Sequence, residues 1–172
     1  MAKLRFLVLC AIVLGVLAPQ FSQADGDNTF AVFRQKSYYF SNSFKLNWFK
    51  AMEYCRTRGM HLLSVRNPQE RDAVIEYLDS TGFTNTHNHR IVWISANDLG
   101  EEGEFHWATT GERLMYSNWA PGEPNNAKVA ECTFEDCVVM EYSLDLIVLF
   151  NNTFDDRDCQ REYHFICETL LE

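Results

Sequence analysis

Five cysteines behind an apolar leader constrain this chain more than any other feature. Lys3 and Arg5 precede an unbroken apolar run from Phe6 to Leu17, and Ser22 and Ala24 form a small-x-small cleavage site before Asp25. Residues 1–24 therefore read as a secretory signal peptide. The run is too short to span a membrane, which needs about 20 apolar residues, and no later segment qualifies as a transmembrane segment. Secretion to an extracellular compartment places Cys55, Cys132, Cys137, Cys159 and Cys167 where disulfides form and persist. Five is odd, so one of them pairs outside the chain or stays free. Removing the leader takes Cys10, Lys3 and Arg5 with it, leaving 148 residues and moving the formal charge from −9 to −11. A domain of that size buries roughly two-thirds of its unfolded-chain surface. Such an acidic chain lacks the basic face that a nucleic-acid partner requires, and it suits a cation or simply solubility.

Residues 28–172 show no repeat, low-complexity tract or linker and read as one domain. Phe30 to Phe40 alternates and is aromatic-rich, as a strand pair would be. Leu46, Phe49, Met52, Ala51 and Cys55 recur at helical spacing across residues 46–58, with Gly59 as a stop. A second helix is signalled by Asn67 as N-cap, Pro68 at the first helical position and Glu70 completing a capping box. Ala73, Val74, Tyr77 and Leu78 form its apolar face, and Gly82 ends it. Beyond Arg90 the grammar changes. Ile91 to Ile94, Val138 to Met140 and Phe165 to Cys167 read as short strands among long loops rich in Gly, Asn and Asp. Two helices followed by strands predict an α+β fold with antiparallel pairing.

The chemistry concentrates in the loops. Trp119-Ala-Pro-Gly-Glu123-Pro124-Asn125-Asn126 is followed by Glu135-Asp136-Cys137 and by Phe154-Asp155-Asp156-Arg157-Asp158-Cys159. Glu123, Asn125, Glu135, Asp155 and Asp156 are hard oxygen ligands of the kind calcium takes six to eight at a time. Carboxylates from separate loops repel one another unless a cation joins them. The Glu123-Pro124 bond is of the type that tolerates cis geometry. The acids are not spread evenly. Residues 98–104 carry four acids and no base, and residues 123–158 carry nine acids and two bases. The rest of the mature chain is neutral, so the whole net charge lies in these two segments.

In order and spacing these residues resemble the C-type lectin domain across about residues 30–169. The elements carrying the resemblance are Leu46-Asn47-Trp48, Cys55, Gly59-Met60-His61-Leu62, Trp93-Ile94-Ser95, Glu102-Gly103-x-Phe105-x-Trp107, Trp119, Glu123-Pro124-Asn125, Cys137, Cys159 and Phe165-Ile166-Cys167. The lone-domain layout resembles secreted insect lectins. The resemblance implies the C-type lectin fold: two helices, antiparallel strands, a long calcium-binding loop region and stabilising disulfides. It implies disulfides Cys55–Cys167 and Cys137–Cys159, each contributing roughly 2–4 kcal/mol. It implies a principal Ca²⁺ held by Glu123, Asn125, Glu135, Asp155 and Asp156. Glu123, Asn125, Glu135 and Asp155 would also meet two vicinal sugar hydroxyls, each of which ligates the metal, donates to a carboxylate and accepts from an Asn amide. Glu-Pro-Asn resembles the subtype that favours glycans with equatorial vicinal hydroxyls, such as mannose, glucose, fucose and N-acetylglucosamine.

Two departures from the family pattern shape the expectation. Trp-Asn-Asp stands here as Phe154-Asp155-Asp156. Phe154 keeps an apolar anchor. Asp155 can ligate calcium, but an ionised carboxylate accepts hydrogen bonds and donates none. Calcium binding is therefore expected to persist with weakened monosaccharide affinity. The family has one Cys after its acidic residue, so Glu131/Cys132 competes with Glu135/Cys137. Spacing from Glu123 favours the first pair; the strand Val138 to Met140 favours the second, which we take, leaving Cys132 unpaired or available for a disulfide-linked dimer.

Asp98, Glu102, Asn126 and Asp136 form a candidate auxiliary calcium site, although Asp and Gly in a loop also favour plain turns. Asn151-Asn152-Thr153 is an N-glycosylation sequon. His87 and His89 lack a third metal ligand, and no nucleophile elbow, zinc-protease motif or phosphate loop is present, so an enzyme is not expected. The function expected is a secreted, calcium-dependent, mannose-type glycan-binding protein acting in innate immunity. The alternative is a protein-binding module on the same fold with reduced sugar binding.

Overall fold

The computed structural model describes residues 29–33, 36–83, 87–143 and 151–170. The leader lies outside them. Eight strands and two helices run in the order β1 (Thr29–Phe33), β2 (Lys36–Phe40), α1 (Trp48–Thr57), β3 (His61–Leu62), α2 (Pro68–Ser80), β4 (His89–Asn97), β5 (His106–Trp107), β6 (Cys137–Ser143), β7 (Asn151–Arg157) and β8 (His164–Glu168). They build one sheet in the order β1-β2-β8-β4-β6-β7, with β3 on β8 and β5 on β4.

Both helices start where side-chain chemistry caps them. Asn47 accepts the Lys50 N–H at 2.9 Å, and Asn67 accepts the Glu70 N–H at 2.8 Å ahead of Pro68; each bond satisfies a donor that the helix leaves orphaned. The capping box of α2 closes differently from expectation. The Glu70 carboxylate takes the Arg66 N–H at 2.8 Å, one residue upstream of the cap, because the Arg66 guanidinium also holds it at 2.8 Å. Gly59 and Gly82 follow the two helices at φ +66° and +73°, left-handed positions that glycine occupies without a Cβ penalty.

Pairing is antiparallel except between β4 and β8, which run parallel at Val92↔His164 and Trp93↔Phe165. The expected antiparallel pairing holds for the other strand pairs, and this one parallel pair is an addition to it. The chain leaves the sheet centre through β6 and β7 and returns with β8 alongside β4, which fixes its direction. A correction concerns Asp155 and Asp156. They were assigned to a loop but lie in β7, which pairs with β6 from Cys137↔Arg157 to Tyr142↔Asn151.

The two-residue strand period sorts β6 between two cores. Val138 and Met140 face Val74, Tyr77, Leu78 and Trp107 on the α2 side. Cys137 and Val139 face Trp48, Ala51, Cys55 and Trp93 on the α1 side. Trp48, Trp93 and Trp107 are all buried, each with a side chain whose burial contributes roughly 2–3 kcal/mol. Disulfides join Cys55 to Cys167 and Cys137 to Cys159. The first ties α1 to β8; the second ties the start of β6 to the chain beyond β7. Cys132 is free and exposed. No described helix is long and apolar enough to cross a membrane.

Candidate metal and ligand site

The site is assembled by β7 and by the loop laid against it. Phe154 is fully buried, with edge-on contacts to Trp107, Tyr116 and Trp119. Residues 118–120 then zip along it. The Phe154 N–H donates to the Asn118 carbonyl at 2.7 Å and the Ala120 N–H to the Phe154 carbonyl at 2.8 Å. Glu123 follows after one turn, its N–H donating to the Ala120 carbonyl at 3.0 Å, and Glu123-Pro124 is cis. Asp156 secures the far side of this loop by accepting the Asn125 N–H at 3.0 Å and the Asn126 N–H at 2.7 Å.

Glu123, Asp155 and Asp156 thereby each bring a carboxylate oxygen within 4.8 Å of the others. Oxygens sharing one calcium lie about 2.3–2.6 Å from it, hence no more than about 5 Å apart, so the trio fits a single cation. Glu135 is outside this trio but in its field. It accepts a backbone hydrogen bond from Ala127, and the Asp156 and Glu123 charges act on it. Asn125 is held by its backbone and its side chain is exposed. Glu123 Oε2, Glu135 Oε2 and Asn126 Oδ1 are buried without a hydrogen-bond partner among the described residues. Such orphaned acceptors cost roughly 1–3 kcal/mol each unless something satisfies them.

The titration of the acids reports the same conflict. Burial, then the neighbouring Asp156, raises Glu123 above the usual carboxylate range. Burial raises Glu135, opposed by Arg157. Burial pushes Asp155 up to about 7 against the pull of Arg157. Burial is the largest cause in each case, with neighbouring carboxylates adding to it and Arg157 opposing it.

The auxiliary candidates are only loosely gathered. Asp98 is buried; its N–H donates to the Asp136 carbonyl at 3.1 Å, and its Oδ2 accepts the Gly103 N–H at 2.9 Å. Its other oxygen has no hydrogen-bond partner among the described residues, and burial with Glu102 and Asp136 nearby lifts the carboxyl to about 6. Asp98, Glu102, Asn126 and Asp136 do not form a preassembled cluster among the described residues. Asn151 is exposed at the start of β7. Cys132 occupies the tip of a two-residue hairpin turn between Ala130 and Thr133 at φ +59°. His87 and His89 are exposed, and His89 pairs with Glu141 rather than with a metal partner.

Sequence reasoning passed over Arg157. Its guanidinium lies 2.8 Å from Asp155 Oδ1 and 2.5 Å from Asp155 Oδ2, 3.3 Å from Glu141 Oε2 and 4.0 Å from Glu135 Oε1. The signal for it was the two-residue spacing from Asp155, visible only once residues 151–157 are read as a strand.

Comparison with known proteins comes to the same region. The Lectin C-type domain family model matches residues 44–169. The chain is 30% identical over 132 residues to C-type lectin mosGCTL-7 of Aedes aegypti, covering 76% of this chain and 81% of that protein. It is 32% identical over 161 residues to C-type lectin 16 of Aedes aegypti, covering 94% and 93%. Among solved structures it resembles the cow C-type carbohydrate-recognition domain of CD23, determined in the presence of GlcNAc2Man3 oligosaccharide. That match has a TM-score of 0.61 and 33% identity, and covers 84% of this chain and 98% of that one.

Proposed function

The chain belongs to the C-type lectin family, and from that premise we propose that it is a secreted, calcium-dependent carbohydrate-binding protein of the mannose type. The family consists of binding proteins, and the chain is not an enzyme. The observation that carries the proposal is the convergence of Glu123, Asp155 and Asp156 within 4.8 Å beside buried, unpartnered oxygens of Glu123 and Glu135. The donor set is all hard oxygen and fits Ca²⁺. Glu123, Asn125, Glu135, Asp155 and Asp156 would hold it. When bound, the ion offers a Lewis-acid position for two vicinal sugar hydroxyls and offsets the charge of the acids. The carboxylates of Glu123 and Glu135 would accept hydrogen bonds from the hydroxyls, and the exposed Asn125 amide would donate one to a hydroxyl oxygen. Glu123-Pro124-Asn125 supports ligands of the mannose, glucose, fucose and N-acetylglucosamine class, and the oligosaccharide present with the cow CD23 domain accords with it.

Asp98, Glu102, Asn126 and Asp136 are proposed as a weaker second calcium site. The leader at residues 1–24 supports secretion of a single domain spanning 28–172. The exposed Asn151 supports a glycoprotein, and the exposed Cys132 supports a disulfide-linked dimer. Paired domains would raise avidity for glycan arrays such as those on microbial surfaces, the setting of innate immunity. One observation favours a second reading, a protein-binding module with little sugar affinity: both Asp155 oxygens already face Arg157. Retention on mannan resin separates the two. Retention in calcium with release by EDTA is expected; passage through the column in calcium would remove the carbohydrate reading.

A further inference from the structure

Asp155 and Arg157 are two residues apart on β7 and so project from the same face. Glu141 lies on the adjoining strand β6 and His89 on β4 beyond it. Together they make a chain across the sheet: His89 Nε2 to Glu141 Oε1 at 2.6 Å, Glu141 Oε2 to Arg157 Nη2 at 3.3 Å, and Arg157 Nη1 to Asp155 Oδ1 at 2.8 Å. Glu141 is buried, and its two oxygens are held from opposite sides, which fixes where the guanidinium sits. One Nη1 hydrogen serves Asp155. The other has only a 3.5 Å contact to the Asp156 carbonyl. Across from Nη1, Glu135 Oε1 stands 4.0 Å away. That gap is too long for a direct hydrogen bond, yet one hydroxyl oxygen spans it with about 2.8 Å to each side.

We propose that Arg157 is the specificity-determining donor of this site: a ligand hydroxyl bound between Arg157 and Glu135 accepts from Arg157 Nη1 and donates to the Glu135 carboxylate. The donor that Asp155 cannot be is thus supplied by its neighbour on the same strand face. Arg157 also offsets the extra negative charge that an acid brings at position 155. On the calcium-dependent reading Asp155, held by Arg157, would remain a metal ligand, and Arg157 would supply the donor toward the sugar. The ligand class remains the neutral vicinal diol, and the inference rests on the calcium-dependent reading above.

The experiment is calorimetric titration of the purified full chain, first with calcium alone and then with methyl α-mannopyranoside at saturating calcium. The variants are Arg157→Ala, Arg157→Lys and the double variant Asp155→Asn with Arg157→Ala. Both single variants are expected to lose about tenfold in mannoside affinity at saturating calcium, the effect of one hydrogen bond to a charged group, and the calcium titration reports any change at Asp155 separately. The lysine variant keeps the charge without the fork, so it stays folded if removing the charge does not. In the double variant an amide donor replaces the guanidinium, and mannoside affinity is expected to recover. Unchanged mannoside affinity in both single variants overturns the proposal, as does a double variant no better than Arg157→Ala. Calcium binding without mannoside binding in the wild type also overturns it while leaving the metal site standing. A wild-type chain that binds no calcium overturns the underlying reading and the proposal with it.

Discussion

Removing calcium tests the site through the stability of the whole fold. Burial lifts the Asp155 carboxyl from an ordinary 3.8 to about 7. At about 1.4 kcal/mol per tenfold change in acidity, ionising it in the calcium-free fold costs on the order of 4 kcal/mol. Asp98, raised to about 6, adds to that cost. The sign follows from linkage. A carboxyl whose folded pKa exceeds its unfolded value lends its stability below the unfolded pKa, and that contribution is lost as pH rises through the folded value. The calcium-free protein is therefore expected to weaken steadily between about pH 4 and pH 7. On the calcium-dependent reading, calcium would act in the opposite sense by binding the ionised oxygens. At a hundredfold excess over its Kd it adds about 2.7 kcal/mol, which in a domain of this size raises Tm by about 5–10 °C. Circular-dichroism melts in calcium and in EDTA, from pH 5 to pH 8, measure the difference. It should be small at pH 5 and largest near pH 8. Identical Tm values at pH 7.5, or a difference that shrinks as pH rises, would refute the reasoning.

Three further perturbations address the fold and its surface. Phe154→Ala deletes a fully buried ring that anchors β7 against residues 118–120, and a loss of about 3–5 kcal/mol is expected in denaturant unfolding; a loss under about 1 kcal/mol would show that the anchor lies elsewhere. Asn67→Ala removes the α2 cap and is expected to cost about 1 kcal/mol without altering calcium affinity. Cys132→Ser should abolish any reducible dimer on a non-reducing gel with Tm unchanged, since the thiol is exposed and the four other cysteines among the described residues are paired; a dimer that persists would have to come from another contact.

Local rules carried much of the reading. Asn67, Pro68 and Gly82 delimit α2 to within a residue because caps and left-handed glycines act over four or five residues. The helical period marked Ala51 and Cys55 on the buried face of α1, but Phe49 on the same period is exposed, Leu46 precedes the helix, and Trp48 completes the face instead. What escaped depends on distant partners. Asn151-Asn152 and Asp155-Asp156 are poor strand formers, yet they form β7 because β6 on one side and residues 118–120 on the other supply ladders. The parallel entry of β8 is decided by the path of the whole chain, which no window of residues records. Within the site, the acids of residues 123–156 were legible as hard ligands from composition. Which three converge was not, because that follows from the ladder that carries Glu123 up to β7. Arg157 was invisible for the same reason, since its partner Glu141 is 16 residues away across a strand pair.

The sheet order has a practical consequence. β1 and β7 occupy opposite edges, five strand spacings apart, which at about 4.8 Å each is roughly 24 Å. β8, the last strand, lies between β2 and β4, so the two ends of the described chain belong to the β1-β2-β8 half of the sheet order, away from β7. A linker, tag or bead fixed to either end therefore acts as a handle at the far side of a rigid spacer. Attached to a surface by such a handle, the domain would display the Glu123 and β7 edge outward, the orientation in which many weak sites reach one glycan-covered target together.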